Sequence, residues 1–414
     1  MKTKDVEKLV KREHVINFVP MKLKNMTEVL YVYDKDNYKL KTAFLLDIIH
    51  TLRVKCNIYQ GDMEVVMEGF PLSSKILMDN YHNDYKRYID YLIENDMIVI
   101  TAPHQNGVSS TKYRLNMNLF EDNYFYFYNR HKKVVNKKIE KDLRSLTDPE
   151  TSSIDLSVRH HLYKDLFKFE VDAFKAKYVL DTLLEEEKIN ENKRKVNTQT
   201  YEAINERCLD FTFDKHGRFH SNYTRLKKEI RSTCLIVKYN GSKEGTFEID
   251  VKNSQPMLLL LLLKNNLTEL NMEEYDTYKD HCKTGIVYDM MIRMYEMSHK
   301  GKTINRKEAK EMFYHYLFGT SKNAESRKMF KRMYPSIDRW LHKYKIEHGY
   351  KSVARNLQRL ESDLIYNNII NEIKLIDPNI PIITVHDSLI VPESKADLCS
   401  NIFNKHVDQI FENL

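Results

Sequence analysis

Two aspartates in the C-terminal half of the chain interrupt or follow short apolar runs, and both are candidates for binding divalent cations. Asp387 lies inside TVHDSLIV, where its neighbours favour a buried strand. Aspartate is depleted from strands and is rarely buried without a partner, so a bound cation is the expected compensation. Asp250 follows the strand-like run 247–249 and precedes a long apolar segment. Two facing carboxylates can hold two divalent ions about 4 Å apart, which activate an attacking hydroxyl and neutralise a transferring phosphate.

A stripe of two cations and two aromatic rings is predicted on one helix between these aspartates. In NRKEAKEMFYHYLFGTS the stripe recurs every fourth residue and consists of Arg306, Lys310, Tyr314 and Phe318. Residues four apart share a helix face, and Gly319 is a suitable helix stop. The basic end could bind a triphosphate, and the rings could contact a base and sugar. The alternative is a surface helix with ordinary basic residues, which does not account for the aromatic continuation.

The N-terminal part of the chain predicts three helices followed by a β-hairpin, which is the plan of a winged helix. The helical segments are KTAFLLDIIHTLRVK, PLSSKILMDNYH and NDYKRYIDYLIENDM, and Asn106–Gly107 is a turn pair between two strand-like runs. Lys86 and Arg87 lie on the third helix, away from its apolar stripe, so we expect them to contact nucleic acid. A winged helix that serves protein contacts or acts as a scaffold is the alternative.

Composition limits the class of protein. With 42% hydrophobic and 30% charged residues, a net charge of +7 and a pI of about 8.8, the chain is compatible with nucleic-acid binding. Its five cysteines lack C-x-x-C spacing, which favours a reducing compartment and argues against a zinc site. The segment PMLLLLLLK is too short to span a bilayer. A cytoplasmic protein without a membrane partner is expected.

Five motifs between residues 201 and 414 resemble, in order, those of the polymerase module of the DNA polymerase I family (family A) and the related single-subunit phage-type RNA polymerases. GRFHSNYTRLKKEIRS is similar to the family's Gly-Arg stretch, and DVKNSQP resembles its first metal-binding motif. RKEAKEMFYHYLFG resembles the nucleotide-binding helix of the fingers. NLQRLESDLIYNNI resembles the helix whose glutamine touches the primer-template minor groove, and VHDSLIV resembles the third motif. The resemblance covers roughly half of the chain.

The resemblance implies an α+β fold, with an antiparallel palm sheet and helical fingers and thumb. Together with the predicted elements, it divides the chain into a winged-helix-like nucleic-acid-binding domain (1–117), a helical linker or thumb-like region (118–200) and the polymerase palm and fingers (201–414). It also implies two Mg²⁺ ions, for which Mn²⁺ can substitute, bound by Asp250 and Asp387. Lys310 and Arg306 would act with them in catalysis by stabilising charge on the β- and γ-phosphates.

The other expected site residues follow from the same resemblance. The nucleotide would be contacted by Tyr314, Phe318, Gly319, Met257 and Gln255. The primer-template would be contacted by Arg218, Gln358 and His386, together with Lys86 and Arg87 of the N-terminal domain.

Three positions depart from the pattern of DNA polymerases and leave the sugar preference open. Met257 stands where these enzymes usually have a glutamate that blocks the ribose 2′-hydroxyl. Phe318 replaces a tyrosine before the glycine of the fingers helix. Ser388 follows Asp387 where a glutamate is usual, a form found in the RNA polymerase branch. Nothing in the N-terminal half resembles a 3′–5′ exonuclease.

The expected function is therefore that of a small, non-proofreading DNA polymerase that replicates a plasmid, phage or other mobile element. Its partners would be a primer-template, dNTPs or NTPs, and a helicase or other replication proteins. An RNA polymerase or primase on the same fold is one alternative. The other is a non-catalytic replication initiator, in which only the winged helix is active.

Overall fold

The computed structural model describes residues 12, 14–58, 63–81, 83–105, 109–120, 124–148, 154–214, 216–250, 253–264, 266–320 and 325–412. These residues form helices and short, mostly antiparallel strands, so the predicted α+β class is confirmed. The predicted turn at Asn106–Gly107 lies outside the described residues.

The strands are β1 (Val15–Pro20), β2 (Tyr31–Tyr33), β3 (Lys39–Lys41), β4 (Phe70–Pro71), β5 (Ile98–Ala102), β6 (Lys112–Leu115), β7 (Tyr124–Asn129), β8 (Phe169–Val171), β9 (Phe211–Phe213), β10 (Phe219–Ser221), β11 (Leu235–Tyr239), β12 (Ser242–Asp250), β13 (Ile383–Val385) and β14 (Ser388–Pro392).

The α-helices are α1 (Thr42–Ile58), α2 (Met63–Glu68), α3 (Ser74–Tyr81), α4 (Tyr85–Glu94), α5 (Met117–Phe120), α6 (Lys132–Thr147), α7 (Leu156–Leu166), α8 (Ala173–Glu185), α9 (Glu191–Asn205), α10 (Asn222–Arg225), α11 (Lys228–Cys234), α12 (Ser254–Lys264), α13 (Met272–Thr284), α14 (Val287–Ser298), α15 (Arg306–Phe318), α16 (Glu325–Met333), α17 (Pro335–His348), α18 (Ser352–Ser362), α19 (Asn371–Ile376) and α20 (Ala396–Glu412). A π-helical segment, Asp363–Ile370, joins α18 to α19, and 3₁₀ turns occur at Met21–Glu28, Leu267–Glu269 and Glu393–Lys395.

The chain forms two compact units whose segments alternate along the sequence. Unit 1 consists of Met1–Thr147, Val171–Asp210 and Arg225–Cys234. Unit 2 consists of Asp148–Glu170, Phe211–Thr224 and Leu235–Leu414. The boundaries of these units differ from the functional regions expected from the sequence, which remain predictions.

Unit 1 is built around α1, whose apolar residues recur at helical spacing and are fully buried, among them Phe44, Ile49 and Leu52. The predicted helices of this region are observed as α1, α3 and α4, and the predicted strands as β5 and β6. These two strands pair antiparallel, and the short β4 adds to β6, giving the order β4-β6-β5. A separate antiparallel pair joins β1 to β7.

Unit 2 contains a five-stranded sheet in the order β13-β14-β12-β11-β8. Strand β12 pairs antiparallel with β11 on one side and with β14 on the other. Next to the end of β12, helix α12 is apolar around most of its circumference and nearly all of it is buried, which is the pattern of a core helix. Within the described residues, no helix combines the length and the apolar character needed to cross a bilayer.

Candidate functional site

The two predicted metal ligands lie at the same end of the sheet in unit 2. Strand β12 ends at Asp250, and the hairpin of β13 and β14 turns at His386 and Asp387. In the register of β12 and β14, Asp250 lies directly opposite Ser388, which is the residue after Asp387. Strand pairing therefore brings together two aspartates that are far apart in the sequence.

The tight turn of the hairpin depends on an unusual backbone conformation at His386. Its φ of 55° lies in the left-handed region, which two-residue hairpin turns require and which histidine tolerates better than β-branched residues. The His386 side chain is exposed, and its ring lies 6.4 Å from that of His220. The Asp387 side chain is half-buried and accepts a hydrogen bond of 2.6 Å from Oγ of Ser254, at the start of α12.

Glu248 adds a third carboxylate that the sequence analysis missed. It lies two residues before Asp250, so both side chains are on the same face of β12. Oγ of Ser388 donates a hydrogen bond of 2.8 Å to Oε1 of Glu248. Ser388, the residue after Asp387, thus contacts a carboxylate on the neighbouring strand. The i, i+2 spacing of two acidic residues in a strand was the available signal.

The aspartates offer ligands of the kind that magnesium prefers. Asp250 is exposed and Asp387 is half-buried, so both carboxylates have access to solvent at the end of the sheet. Mg²⁺ is commonly bound by one or two carboxylates, with waters and substrate phosphates completing its octahedron. Among the described residues, no group of three or more His, Cys, Asp or Glu side chains has an arrangement that could hold a metal ion. Two carboxylates alone would leave most of an Mg²⁺ octahedron to other ligands.

The predicted stripe of cations and rings is present on α15. Asn305 and Glu308 form a reciprocal capping box, which fixes the first turn of this helix. Nζ of Lys310 lies 5.5 Å from the ring centre of Tyr314, which is 5.6 Å from the ring centre of Phe318. The lysine is exposed and both rings are half-buried.

Arg306 begins the stripe and is engaged in contacts that a ligand could replace. Its guanidinium donates to Oδ2 of Asp289 at 2.5 Å and to the carbonyl of Gly285 at 2.9 Å. Both partners of the ion pair are about half exposed, and exposed ion pairs contribute little stability. A triphosphate would therefore compete with Asp289 at low cost.

Electrostatics connect the stripe to the aspartates. Burial raises the pKa of Tyr314 above its ordinary value, Lys310 opposes this effect, and the negative charge of Asp387 adds to it. Tyr288 is hydrogen-bonded to Tyr314, and burial also raises its pKa. The pKa of the Tyr314 hydroxyl therefore responds to the charge of Asp387, although the two residues lie in separate sequence motifs.

Arg218 and Gln255, which we expected to contact nucleic acid and nucleotide, both bind Glu361 on α18. Arg218 donates two hydrogen bonds to the Glu361 carboxylate, at 3.0 and 2.8 Å, and Nε2 of Gln255 donates a third at 2.9 Å. Burial raises the pKa of Glu361, while the Arg218 ion pair limits this rise. Oε1 of Gln255 is buried and has no hydrogen-bond partner among the described residues. Sequence analysis did not single out Glu361, which lies three residues after Gln358.

The loop that carries Arg218 is held by Asp214. Oδ1 of this aspartate accepts hydrogen bonds from the backbone amides of His216 and Arg218, and Oδ2 contacts Nε2 of His220. Burial acts to raise the pKa of Asp214, but these hydrogen bonds outweigh it and lower the pKa to about 2. Gly217 has a φ of 86°, so its lack of a side chain permits the turn.

The remaining residues of the expected nucleotide and primer-template sites differ in accessibility. Met257 is only 2% exposed and packs within the core on α12. Gln358 is half-buried on α18. The carbonyl of Gly319, after the end of α15, accepts a hydrogen bond of 3.2 Å from Nζ of the buried Lys345, which also donates to the carbonyl of Tyr316 at 2.5 Å. This lysine, which the sequence analysis missed, holds the end of the helix beside Phe318.

The two basic residues expected to contact nucleic acid lie on α4 of unit 1. Lys86 is exposed. Arg87 forms ion pairs with Asp34 at 2.7 Å and Asp36 at 3.3 Å, and its guanidinium lies over the ring of Tyr38. Two acidic residues thus partly neutralise one of the expected phosphate contacts.

Comparison with known proteins gives no relative from which a function could be transferred, because no family model and no curated protein matches the chain.

Proposed function

We propose that the protein is a template-directed nucleotidyltransferase, and in the first instance a small DNA polymerase. The observation that carries the proposal is the placement of Asp250 and Asp387 at one end of an antiparallel sheet, in the same unit as the stripe of cations and rings on α15. Paired carboxylates beside exposed cations suit phosphoryl transfer. A protein that only binds DNA has no chemical need for this combination.

The reaction would join the 3′-oxygen of a primer to the α-phosphorus of an incoming nucleotide. The bond between that phosphorus and the oxygen bridging to the β-phosphate breaks, and pyrophosphate leaves. Asp250 and Asp387 would hold Mg²⁺, which when bound neutralises phosphate charge and favours ionisation of the attacking hydroxyl. Ser254 orients the Asp387 carboxylate through its hydrogen bond.

The stripe on α15 would hold the nucleotide. Lys310 and Arg306 lie at the N-terminal end of the helix, where they would bind the β- and γ-phosphates, and Arg306 would exchange Asp289 for a phosphate oxygen. Tyr314 and Phe318, one and two turns further on, would contact the base and sugar. The capping box and Lys345 fix the two ends of this helix.

A second candidate, an RNA polymerase or primase, is favoured by the residue types at the three positions that depart from the pattern of DNA polymerases. The buried Met257 provides no carboxylate to exclude a 2′-hydroxyl, and Phe318 lacks a hydroxyl group. Ser388 also follows the pattern of the RNA polymerase branch.

In unit 1 we propose a winged-helix nucleic-acid-binding element. Helices α1, α3 and α4, with the antiparallel order β4-β6-β5, support this assignment. The exposed Lys86 would contact phosphate. Arg87 would contact phosphate only after breaking its ion pairs with Asp34 and Asp36.

Primer extension tests the proposal directly. A labelled primer on a DNA template is incubated with Mg²⁺ and either dNTPs or NTPs, beside an unprimed reaction. Extension with dNTPs supports a DNA polymerase, and synthesis with NTPs supports the second candidate. Asp387→Asn is expected to abolish incorporation while primer-template binding stays close to that of the wild type. Asp276→Asn, which makes the same change at an exposed position in α13, is the matched control. If wild-type protein binds the primer-template but incorporates neither substrate, the proposal is wrong.

A further inference from the structure

Helix α8 of unit 1 presents two aromatic rings to solvent. Phe174 is 87% exposed and Tyr178 is 70% exposed, the highest exposures of any aromatic side chains within the described part of the chain. They lie four residues apart, so they share one face of the helix and are separated by a rise of about 6 Å. Folding gains almost nothing from rings in this position, because little of their apolar surface is removed from water.

The two charged residues between the rings are positive. Lys175 and Lys177 are both exposed, the first three residues before Tyr178 and the second three residues after Phe174. Both lysines therefore flank the aromatic face. The nearest acidic residues of the helix are already engaged, since Asp172 caps its N-terminus and Asp181 is ion-paired with Arg194 at 2.8 Å.

We infer that this face of α8 is a binding platform for single-stranded nucleic acid, such as the unpaired part of a template. Exposed rings stack on bases of any sequence, and neighbouring lysines neutralise the phosphates, a combination typical of single-strand binding surfaces. The two rings lie one helical turn apart, and each would stack on one base. The inference deepens the proposed function, on which it rests, by naming a contact for the template strand.

The alternative ligand for such a surface is a protein partner. It would bury the same apolar area but would not need flat aromatic rings. The charge favours nucleic acid, because the two charged residues between the rings, Lys175 and Lys177, are both exposed cations. Stacking also depends on a π-face, whereas hydrophobic contact with a protein does not. This difference allows one pair of variants to separate the two occupants.

The experiment measures binding of a fluorescently labelled single-stranded oligonucleotide by anisotropy, with full-length protein. Phe174→Ala/Tyr178→Ala is expected to weaken binding at least about tenfold, because base–aromatic stacking is lost at two positions. Phe174→Leu/Tyr178→Leu is expected to weaken it almost as much, whereas Phe174→Tyr/Tyr178→Phe should bind like the wild type. Since these side chains are exposed, all three variants should keep the thermal stability of the wild type.

Charge is tested separately. Lys175→Ala/Lys177→Ala should lower the slope of log Kd against log salt by about 1.4, the value for two phosphate contacts on a single strand. Leu375→Ala, which removes a 77% exposed apolar side chain from unit 2, is the matched control and should bind like the wild type.

The outcomes separate this inference from the proposed function. If the wild type extends a primer and the alanine pair binds the oligonucleotide normally, the platform is wrong and the polymerase proposal stands. If the leucine pair binds normally while the alanine pair does not, stacking is wrong. If the aromatic variants lose oligonucleotide binding but the wild type incorporates no nucleotide, the platform stands and the proposed chemistry fails.

Discussion

Glu248 and Ser388 belong to neighbouring strands, and their hydrogen bond brings a carboxylate to the position next to the aspartate pair. A DNA polymerase of the family that the sequence resembles would have that carboxylate on the hairpin itself. Here, strand pairing places it on β12, two residues before Asp250. Under the proposed function, Glu248 would take the place of that carboxylate beside the two aspartates.

We predict that Glu248→Gln raises the Mg²⁺ concentration needed for half-maximal primer extension by about tenfold. The amide oxygen can still accept from Ser388, so the change removes mainly the charge, and groups next to metal ligands typically alter affinity by 10- to 100-fold. The titration of extension rate with Mg²⁺ measures this effect. Glu244→Gln, on the same strand and bonded to Ser394, is the matched control. If both variants raise the required Mg²⁺ concentration equally, Glu248 has no specific role at the site.

Glu202 gives a prediction for stability in unit 1. Its Oε2 atom is buried and has no hydrogen-bond partner within the described residues. Burial, with repulsion from Glu206, raises its pKa from 4.5 to about 7. Below pH 4.5 the side chain is neutral in both the folded and the unfolded chain. Between pH 4.5 and 7 the folded chain retains a proton that the unfolded chain loses, so this glutamate makes the fold less stable as pH rises.

Glu202→Gln cannot ionise, so its melting temperature should match that of the wild type near pH 4.5. It should exceed the wild-type value increasingly up to pH 7 and level off above it. Thermal unfolding at several pH values across this window measures the difference. A difference that does not change with pH would contradict the assignment. Glu206→Gln, which removes only the neighbouring charge, should give a smaller effect of the same sign.

Residue types and spacing were sufficient to predict that Asp250 ends a strand and that the stripe lies on one helix, whereas binding of a cation or a phosphate at these residues remains a prediction. They did not predict Glu361, Ser254 or Lys345. These residues act through long-range contacts, and no local pattern marks a glutamate that will meet an arginine 143 positions away. Partners of this kind become visible only when the packing of elements is known.

At the scale of elements, helix α12 shows how packing limits an inference drawn from alignment. The position of Met257 suggests that a glutamate there would select against ribonucleotides. The side chain is nevertheless in the core, among leucines of the same helix. A glutamate at this position would lie in the core and would not reach the sugar of a nucleotide.

Met257→Glu is therefore expected to lower the free energy of unfolding by on the order of 3 kcal/mol, the usual cost of an unpaired buried charge. Chemical denaturation measures the loss. Met257→Leu, which nearly conserves volume, should cost less than about 1.5 kcal/mol. A Met257→Glu protein with wild-type stability and increased discrimination against NTPs would show that the side chain does reach the nucleotide.

The elements themselves were largely predictable, and their boundaries less so. Apolar spacing located α1 and α4, because each has one face against the core. Helix-start residues located α3, and the four-residue spacing of the stripe located α15. The run preceding Asp250 suggested a strand of three residues, whereas β12 has nine. Its remaining residues are polar, and they form a strand because they pair with β11 and β14.

At the scale of the whole molecule, the interleaving of the two units limits how the chain can be divided. A deletion of residues 1–117 would remove β1, and with it the strand partner of β7. It would also remove α1, the centre of the core of unit 1. The remaining segments of that unit would expose apolar surface and an unpaired strand edge.

We predict that the chain without residues 1–117 aggregates, as measured by size-exclusion chromatography and circular dichroism, beside full-length protein. Nucleic-acid binding by unit 1 is better tested in the intact chain with Lys86→Ala, which should weaken binding modestly without altering stability. A monomeric, folded deletion protein with normal primer extension would instead show that residues 118–414 fold independently.

The order of the strands in the sheet of unit 2 also has a consequence for the biogenesis of the protein. On the ribosome, β12 and Asp250 emerge before helices α12 to α19, and β14 follows only after them. At ordinary rates of translation, one edge of β12 therefore waits on the order of ten seconds for its partner strand. During that interval the nascent chain carries a strand edge without hydrogen-bond partners and one aspartate without the other. That edge is open to pairing with another chain, and under the proposed function the protein would be inactive until β14 is in place.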